Sequence, residues 1–380
     1  MGERPSAKRI WKPVMTQGAD SFWLMLITSL SLTVLVTRVF LEMTGYPQIG
    51  GTTYHIAHVL WGGLLLFIAV TLVLSFANHY ILWIAAVLGG VGAGLFIDEV
   101  GKFITHSNDY FYPLAFPIIY SFILICVWLF YRIRQRKPRD TRTLLYHALE
   151  DMKEVLDNDL DPFEHRALTL ELQQVVNEAR DVNDYQLAKS LLSYIQSRDV
   201  RLAIQPNLIE RQLDRMRKML AGWPPRLILK VILILSFGFM AFNAALTLLL
   251  LVMAGRGSQV VNDMLSNYVI VSGTSQYEVS LPTLLIMTML ALIGVGILAL
   301  IATILLVLGR DAAGVRIGVL ALVITLMVVN PFASYFFQLQ AMASALAQVL
   351  LLGLASLYRW RFLFPGERAA VPADEAVETV

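Results

Sequence analysis

The chain has 380 residues, 57% hydrophobic and 15% charged, with a mean hydropathy of +0.63 and a formal net charge of +2. So little charge excludes an ordinary soluble domain of this size. The single cysteine, Cys126, excludes an intrachain disulfide and any cysteine-based metal centre.

Runs of 18 or more apolar residues recur, each long enough to cross a hydrocarbon core about 30 Å thick. The basic stretch ending at Lys12 leads into an apolar run too long for the core of a signal peptide, so that run is expected to be retained as the first span. Spans are predicted at residues 21–40, 55–76, 81–105 and 112–131. A polar segment follows, and then spans at 225–254, 281–308, 315–335 and 341–363. The last two also read as one broken element, which would leave seven spans.

Basic residues fix the expected orientation. Arg4, Lys8, Arg9 and Lys12 precede span 1, and Arg132, Arg134, Arg136, Lys137 and Arg139 follow span 4. Arg310 and Arg316 bracket the turn between spans 6 and 7, and Arg359, Arg361 and Arg368 follow span 8. The opposite loops, 41–54, 106–110 and 255–280, hold only Arg256. The positive-inside rule then places both termini and the polar segment in the cytoplasm of a cell-membrane protein. Seven spans would put Arg359 and Arg361 outside.

The expected fold class is therefore all-α: a polytopic membrane protein of about eight transmembrane helices in two bundles. Residues 1–131 form the first four-helix bundle, 132–224 a cytoplasmic helical insert, 225–363 a second bundle and 364–380 a disordered acidic tail. The four-insert-four pattern suggests a parallel repeat, without residue-level similarity between the halves.

The insert carries more than half of the acidic residues. Leu145, Ala148, Leu149, Met152, Val155 and Leu156 repeat at helical spacing, as do Leu168, Leu172, Val175, Val176 and Ala179, and Leu187, Leu191, Tyr194 and Ile195. Asp161-Pro162-Phe163-Glu164 reads as a helix start. The run from Asp157 to Asp161 fails the calcium-loop pattern, because Pro162 and Leu168 stand where glycine and glutamate are needed. The insert shows no nucleotide-binding or catalytic signature, so it reads as a regulatory or interaction module with a protein partner. The lipid bilayer is the other expected partner, and no nucleic acid is expected.

Ionisable residues gather in spans 1 to 4, toward the outer face. Glu42 ends span 1, His55 and His58 open span 2, and span 3 carries Asp98, Glu99 and Lys102. Such groups cost several kcal/mol each if left unpaired in lipid, so they are expected to face protein or water. His55, His58 and Gly62 share one helical face, and Gly90, Gly94, Asp98 and Lys102 share another. Small residues let helices approach closely, so span 2 is expected on span 3 with the histidines near Asp98.

Three readings follow. In the first, the groups form an ion-paired lock, Asp98 with Lys102 or a protonated histidine and Glu99 with another donor. In the second, His55, His58 and Asp98, with Glu99 and Glu42 as secondary candidates, bind a divalent ion such as zinc or relay protons for transport. In the third, the same set serves a membrane-embedded metal-dependent hydrolase. A scaffold or sensor acting through the insert remains beside these. Tyr110, Tyr112 and Trp61 read as interfacial aromatics. The glycine run at residues 89–94 reads as helix packing. His79, His106, His147 and His165 show no shared spacing. The second bundle reads as nearly uncharged, interrupted chiefly by Asn330-Pro331, where a kink is expected.

Reporter fusions after Asp140 and after Arg368 should score cytoplasmic, and a fusion within residues 257–275 external. An external score after Arg368 would remove the eight-span topology.

Overall fold

The computed structural model describes residues 12–44, 57–106, 110, 112–134, 140–158, 160–197, 224–257, 259, 281–336 and 338–363, the side chains of residues 42, 163, 281–283 and 339 excepted. The described residues are helical and contain no strand. Among the described residues, eight helices are long and apolar enough to cross a membrane, as lipid requires when every backbone polar group must be paired within the span.

The first four spans are built from α1 (Ala19–Thr44), α2 (His58–Ser75), α3 (His79–Asp98) with a short α4 (Val100–Ile104), and α5 (Ala115–Arg134). The polar segment forms α6 (Thr141–Asp157), α7 (Pro162–Glu178) and α8 (Val182–Ile195). The second half holds α9 (Arg226–Gly255), α10 (Leu281–Val307), α11 (Asp311–Ile324), α12 (Asn330–Phe336) and α13 (Gln338–Tyr358). A π-helical turn, Thr325–Val329, joins α11 to α12, and another, Arg359–Leu363, follows α13. The wide turn sits directly before Asn330-Pro331, and Pro331 has no N–H to continue an ordinary helical ladder, so the interruption expected there takes this form.

Contacts gather the chain into two compact units. One comprises Met1–Thr33, Ala57–Phe96 and Ile125–Arg215; the other comprises Val34–Ile56, Ile97–Leu124 and Met216–Val380.

In the first unit, glycines set the helix spacing. A Cβ on Gly62 would lie 2.8 Å from the Gly92 carbonyl oxygen, and one on Gly94 would lie 2.9 Å from that of Leu30. Gly90 meets the Leu26 carbonyl still more closely. Span 3 therefore meets span 2 through Gly92. The Gly90–Gly94 face, expected against span 2, packs on α1 instead. The two faces differ because two residues along a helix turn the side chain by about 200°.

The helices of the polar segment enclose a core of Leu144, Leu145, Ala148, Leu168, Leu172, Val175, Ala188 and Ile195. Each helix start is specified locally. Asp140 accepts from the Thr143 amide, and Asp181 from the Asn183 amide. The box expected at Asp161 forms, with Asp161 Oδ1 accepting from the Glu164 amide at 2.7 Å and Glu164 Oε2 from the Asp161 amide at 2.9 Å. Leu149, Leu156, Leu187 and Tyr194, expected on the apolar faces, are exposed. Leu144 and Ala188 fill the core in their place.

The opposite stripe of α6 clasps two other segments of the same unit. Glu150 accepts from Thr16 Oγ1 and from the Gln17 amide, His147 Nε2 contacts the Met15 carbonyl, and Arg142 donates to the Lys12 carbonyl. Farther along, Asp157 accepts from Asn78 Nδ2, and Glu154 lies 3.9 Å from His79 Nδ1. Residues 147, 150, 154 and 157 recur at three- and four-residue steps, so one face of a single helix supplies the clasp apart from Arg142.

In the second unit, α9 packs along α10 and α10 along α11. Leu229, Leu233, Phe237, Ala302, Leu306 and Tyr358 form the core. Asn330 Nδ2 donates to Gln348 Oε1 at 2.9 Å, and Tyr358 Oη to Asp311 Oδ2 at 2.5 Å. These two bonds run in opposite chain directions, so span 8 returns along span 7 as a separate span. The seven-span alternative is thereby replaced by eight.

Asp151 of α6 is buried, and burial pushes its carboxyl from 3.8 up to about 7, with Glu171, Glu164 and Glu150 adding to the rise and a Gln17 hydrogen bond opposing it. The folded chain thus binds more protons than the unfolded chain between pH 3.8 and about 7, and stability falls as pH rises through that window. Asp151→Asn should flatten this dependence and slow hydrogen exchange of the α6 and α7 amides in neutral buffer. Equal exchange in the two proteins at neutral pH would contradict the assignment.

Candidate functional site

The second unit contains a buried charged cluster built from α1, the junction of α3 with α4, the approach to α5, and α13. Arg38 projects from α1 and is 7% exposed; Asp98, the last residue of α3, is 0% exposed. Arg38 Nε donates to Asp98 Oδ1 at 2.7 Å, and its Nη2 reaches the Asp98 carbonyl at 3.4 Å. Its Nη1 donates to Gln338 Oε1 of α13 at 2.6 Å. The second carboxylate oxygen, Oδ2, accepts from Tyr110 Oη at 2.5 Å.

Aromatic rings complete the surround. Arg38 lies 5.0 Å from the Tyr110 ring centroid and 5.3 Å from that of buried Phe116. Lys102 Nζ lies 5.4 Å from the same Tyr110 ring, so one ring serves two cations while its hydroxyl serves an anion. Glu99, also buried, takes Lys102 Nζ on Oε1 at 2.8 Å. Among the described residues, Arg38 thus pairs with Asp98 and Lys102 with Glu99.

The partner expected for Asp98 is corrected here. Sequence spacing offered Lys102, four residues on, along a continuous helix. The helix breaks at Glu99, whose backbone (φ −87°, ψ 7°) leaves the helical region and starts α4. The break takes Lys102 off the Asp98 face and closes it on Glu99, three residues back, while Asp98 turns to Arg38.

Among the other expected site residues, His58 is the first residue of α2 and belongs to the first unit. Ala57 before it has extended backbone, so the helical face expected to join His55 to His58 does not continue through it. His55 and the Glu42 side chain lie outside the described residues. Among the described residues, no group of three or more histidine, cysteine or acidic side chains is placed to hold a metal ion.

Arg38, Gln338 and Phe116 did not emerge from the sequence reading. Arg38 carried a usable signal, since an arginine inside an apolar span demands an acidic partner. Four-residue steps also align Leu30, Val34 and Arg38 on α1 as they align Gly90, Gly94 and Asp98 on α3. Tyr110, read as an interfacial aromatic, is a ligand of Asp98. The second half, read as nearly uncharged, carries its own buried carboxylate, Asp311, with Arg226 and Lys230 upon it.

Fold and cluster together define the class: an all-α, multi-pass membrane protein with a buried ionic cluster inside its helices. Comparisons with family models, with curated proteins and with solved structures find no match for this chain.

Breaking a buried ion pair by removing one partner leaves an uncompensated charge and costs about 3–5 kcal/mol. Asp98→Asn and Arg38→Gln should each lose stability on that scale, and Arg38→Met/Asp98→Leu should recover most of it. Lys102→Met should couple only weakly with Asp98→Asn, because the two residues serve different ion pairs and share only the Tyr110 side chain. Thermal unfolding of the five variants checks this; strong coupling between Asp98 and Lys102 would restore the pairing expected from the sequence.

Proposed function

We propose that this protein is a transporter of the cell membrane in which Asp98 takes up and releases a coupling proton near the outer face, with both termini and residues 132–224 in the cytoplasm. The observation that supports this reading is the fully buried Asp98 carboxylate, held by Arg38 and Tyr110, with Arg38 also holding Gln338. Charge on Asp98 therefore governs a tie among the first, third and eighth spans. Neutralising it weakens the Arg38 bond from charge-assisted to ordinary, which is how a single proton can bias two arrangements of a helical bundle.

A proton suits the site better than a divalent ion. Zinc at Asp98 would have to displace a guanidinium and a phenol, and no further ligand set stands beside it among the described residues. The hydrolase reading depends on such a metal and is correspondingly weaker. A regulatory role for the polar segment is favoured by one specific feature, the α6 clasp on residues 12–17 and 78–79. Through it, a partner bound to that segment would act on the residue run that leads into span 1.

The test pairs infrared difference spectroscopy with flux. Protein reconstituted in vesicles should show a carboxylic-acid band that appears on acidification and is missing in Asp98→Asn. Proton flux under an imposed membrane potential should fall at least tenfold in the same variant. A carboxylate that stays ionised from acidic to alkaline buffer would remove Asp98 as the coupling group.

A further inference from the structure

Helix α6 of the first unit presents three faces, and two of them are already occupied. Leu144, Leu145, Ala148, Asp151 and Val155 are buried. His147, Glu150, Glu154 and Asp157 form the clasp. The third face holds Arg142, Tyr146, Leu149, Lys153 and Leu156, again at steps of three and four residues. Tyr146 and Leu149 are exposed, Leu156 is 76% exposed, and Lys153 is exposed between the two leucines. The Arg142 guanidinium lies 5.1 Å from the Tyr146 ring centroid, so cation and ring share one place on this face. Successive residues turn the helix by about 100°, which puts this face about a quarter-turn from the clasp.

The clasp fixes where that face sits. Glu150 holds Thr16 and Gln17, just before span 1 opens at Ala19. Asp157 holds Asn78, and Glu154 lies beside His79, where span 3 opens. Seven residues separate Glu150 from Asp157, about 10 Å at 1.5 Å per residue. Over that length α6 passes from the start of one span to the start of another, so it runs across the span ends and not away from them. Lys153 belongs to this stretch, and its charge acts on His79. Tyr80 and Trp83, in the first turns of span 3, are exposed, as aromatics at the membrane–water boundary are. The third face therefore flanks the clasp at the depth of the lipid headgroups.

Composition and charge say what covers it. A face meant for water alone would not set three large apolar side chains between its cations. The carboxylates of α6 are turned elsewhere: Glu150, Glu154 and Asp157 to the clasp, and Asp151 into the interior. Asp140, just before the helix, accepts from the Thr143 amide and lies 3.8 Å from Lys12 Nζ. What remains is tyrosine and leucine with lysine and arginine, the pattern of a helix lying in the bilayer interface, its apolar side chains toward the acyl boundary and its cations reaching the phosphates. The positive sign selects anionic headgroups. We propose that the face of α6 carrying Arg142, Tyr146, Leu149, Lys153 and Leu156 docks on anionic phospholipid beside spans 1 and 3. The inference stands on the first unit and does not depend on the transport reading.

Full-length protein carrying Cys126→Ala and Leu156→Cys, labelled with an environment-sensitive fluorophore and placed in nanodiscs, tests it. With phosphatidylglycerol mixed into phosphatidylcholine, the probe should shift to the blue and be quenched by lipid spin-labelled near the headgroup. In phosphatidylcholine alone both effects should be clearly smaller. A probe at Leu170→Cys, exposed on α7 and not on the clasp helix, should stay in water in both lipids. Lys153→Gln should lower the docking equilibrium read from the quenching by roughly fivefold, the share of one lysine near an anionic surface. If the cysteine variants do not fold, hydrogen exchange of the unlabelled parent decides: amides 149–157 should exchange more slowly with phosphatidylglycerol than without it. A Leu156 probe as wet as the Leu170 probe, equal quenching or equal exchange in the two lipids, or an undiminished response in Lys153→Gln would overturn the proposal. A Leu156 probe shielded from water yet untouched by the lipid quencher would also overturn it, by showing that protein covers the face.

Discussion

The cost of a charge in hydrocarbon is the constraint on which the site depends. A guanidinium on an apolar span is tolerable only if a carboxylate reaches it and its remaining donors find acceptors. Arg38 meets both conditions: Asp98 takes Nε, Gln338 takes Nη1 and the Asp98 carbonyl takes Nη2. Within the first unit, glycines at 90 and 94 admit the backbone of α1 against α3. A larger residue at either glycine would have to push the helix partner aside.

Polar residues elsewhere in the second unit answer to the same constraint in a milder form. Asn330 is buried and neutral, and its amide finds Gln348 of α13 at 2.9 Å. Interhelical hydrogen bonds of this kind contribute about 0.6–2 kcal/mol in membranes, enough to fix the register of a hairpin without carrying a charge. α13 thus meets a polar partner at three levels: Arg38 at Gln338, Asn330 at Gln348 and Asp311 at Tyr358. Only the two ends are ionic, as expected where water or headgroups can relieve part of the desolvation cost.

The spans were legible because lipid imposes long apolar runs whatever their neighbours, and the helix starts of the polar segment because capping is local. Asp161 and Glu164 specify each other across three residues, and no distant contact is needed to see it. The pairing of Asp98 was not legible for the opposite reason. Continuous helical spacing favoured Lys102, and the backbone break at Glu99 that cancels it carries no proline and no glycine at the break itself. Arg38 was visible as a residue, but its partner lies sixty positions away. Exposed Leu149 and Leu156 show the same limit, since periodicity marks an apolar stripe without saying which members of it the neighbouring helices cover.

The two donors on Asp98 are not equivalent, and that matters for any proton that arrives there. Arginine has donors only, so Arg38 cannot accept from a protonated carboxyl and must stay a donor to Oδ1. A phenol has both a donor and lone pairs, and Tyr110 can turn its hydroxyl from giving to receiving. On the transport reading, a proton would be accommodated on Oδ2, where Tyr110 can change role without moving its ring, while Arg38 keeps its place with a weaker bond. That ring also lies close to both Arg38 and Lys102. On the transport reading, Tyr110 is the hinge of the exchange and Arg38 its reporter: the guanidinium feels the charge on Asp98 and passes the difference to Gln338 on the last span.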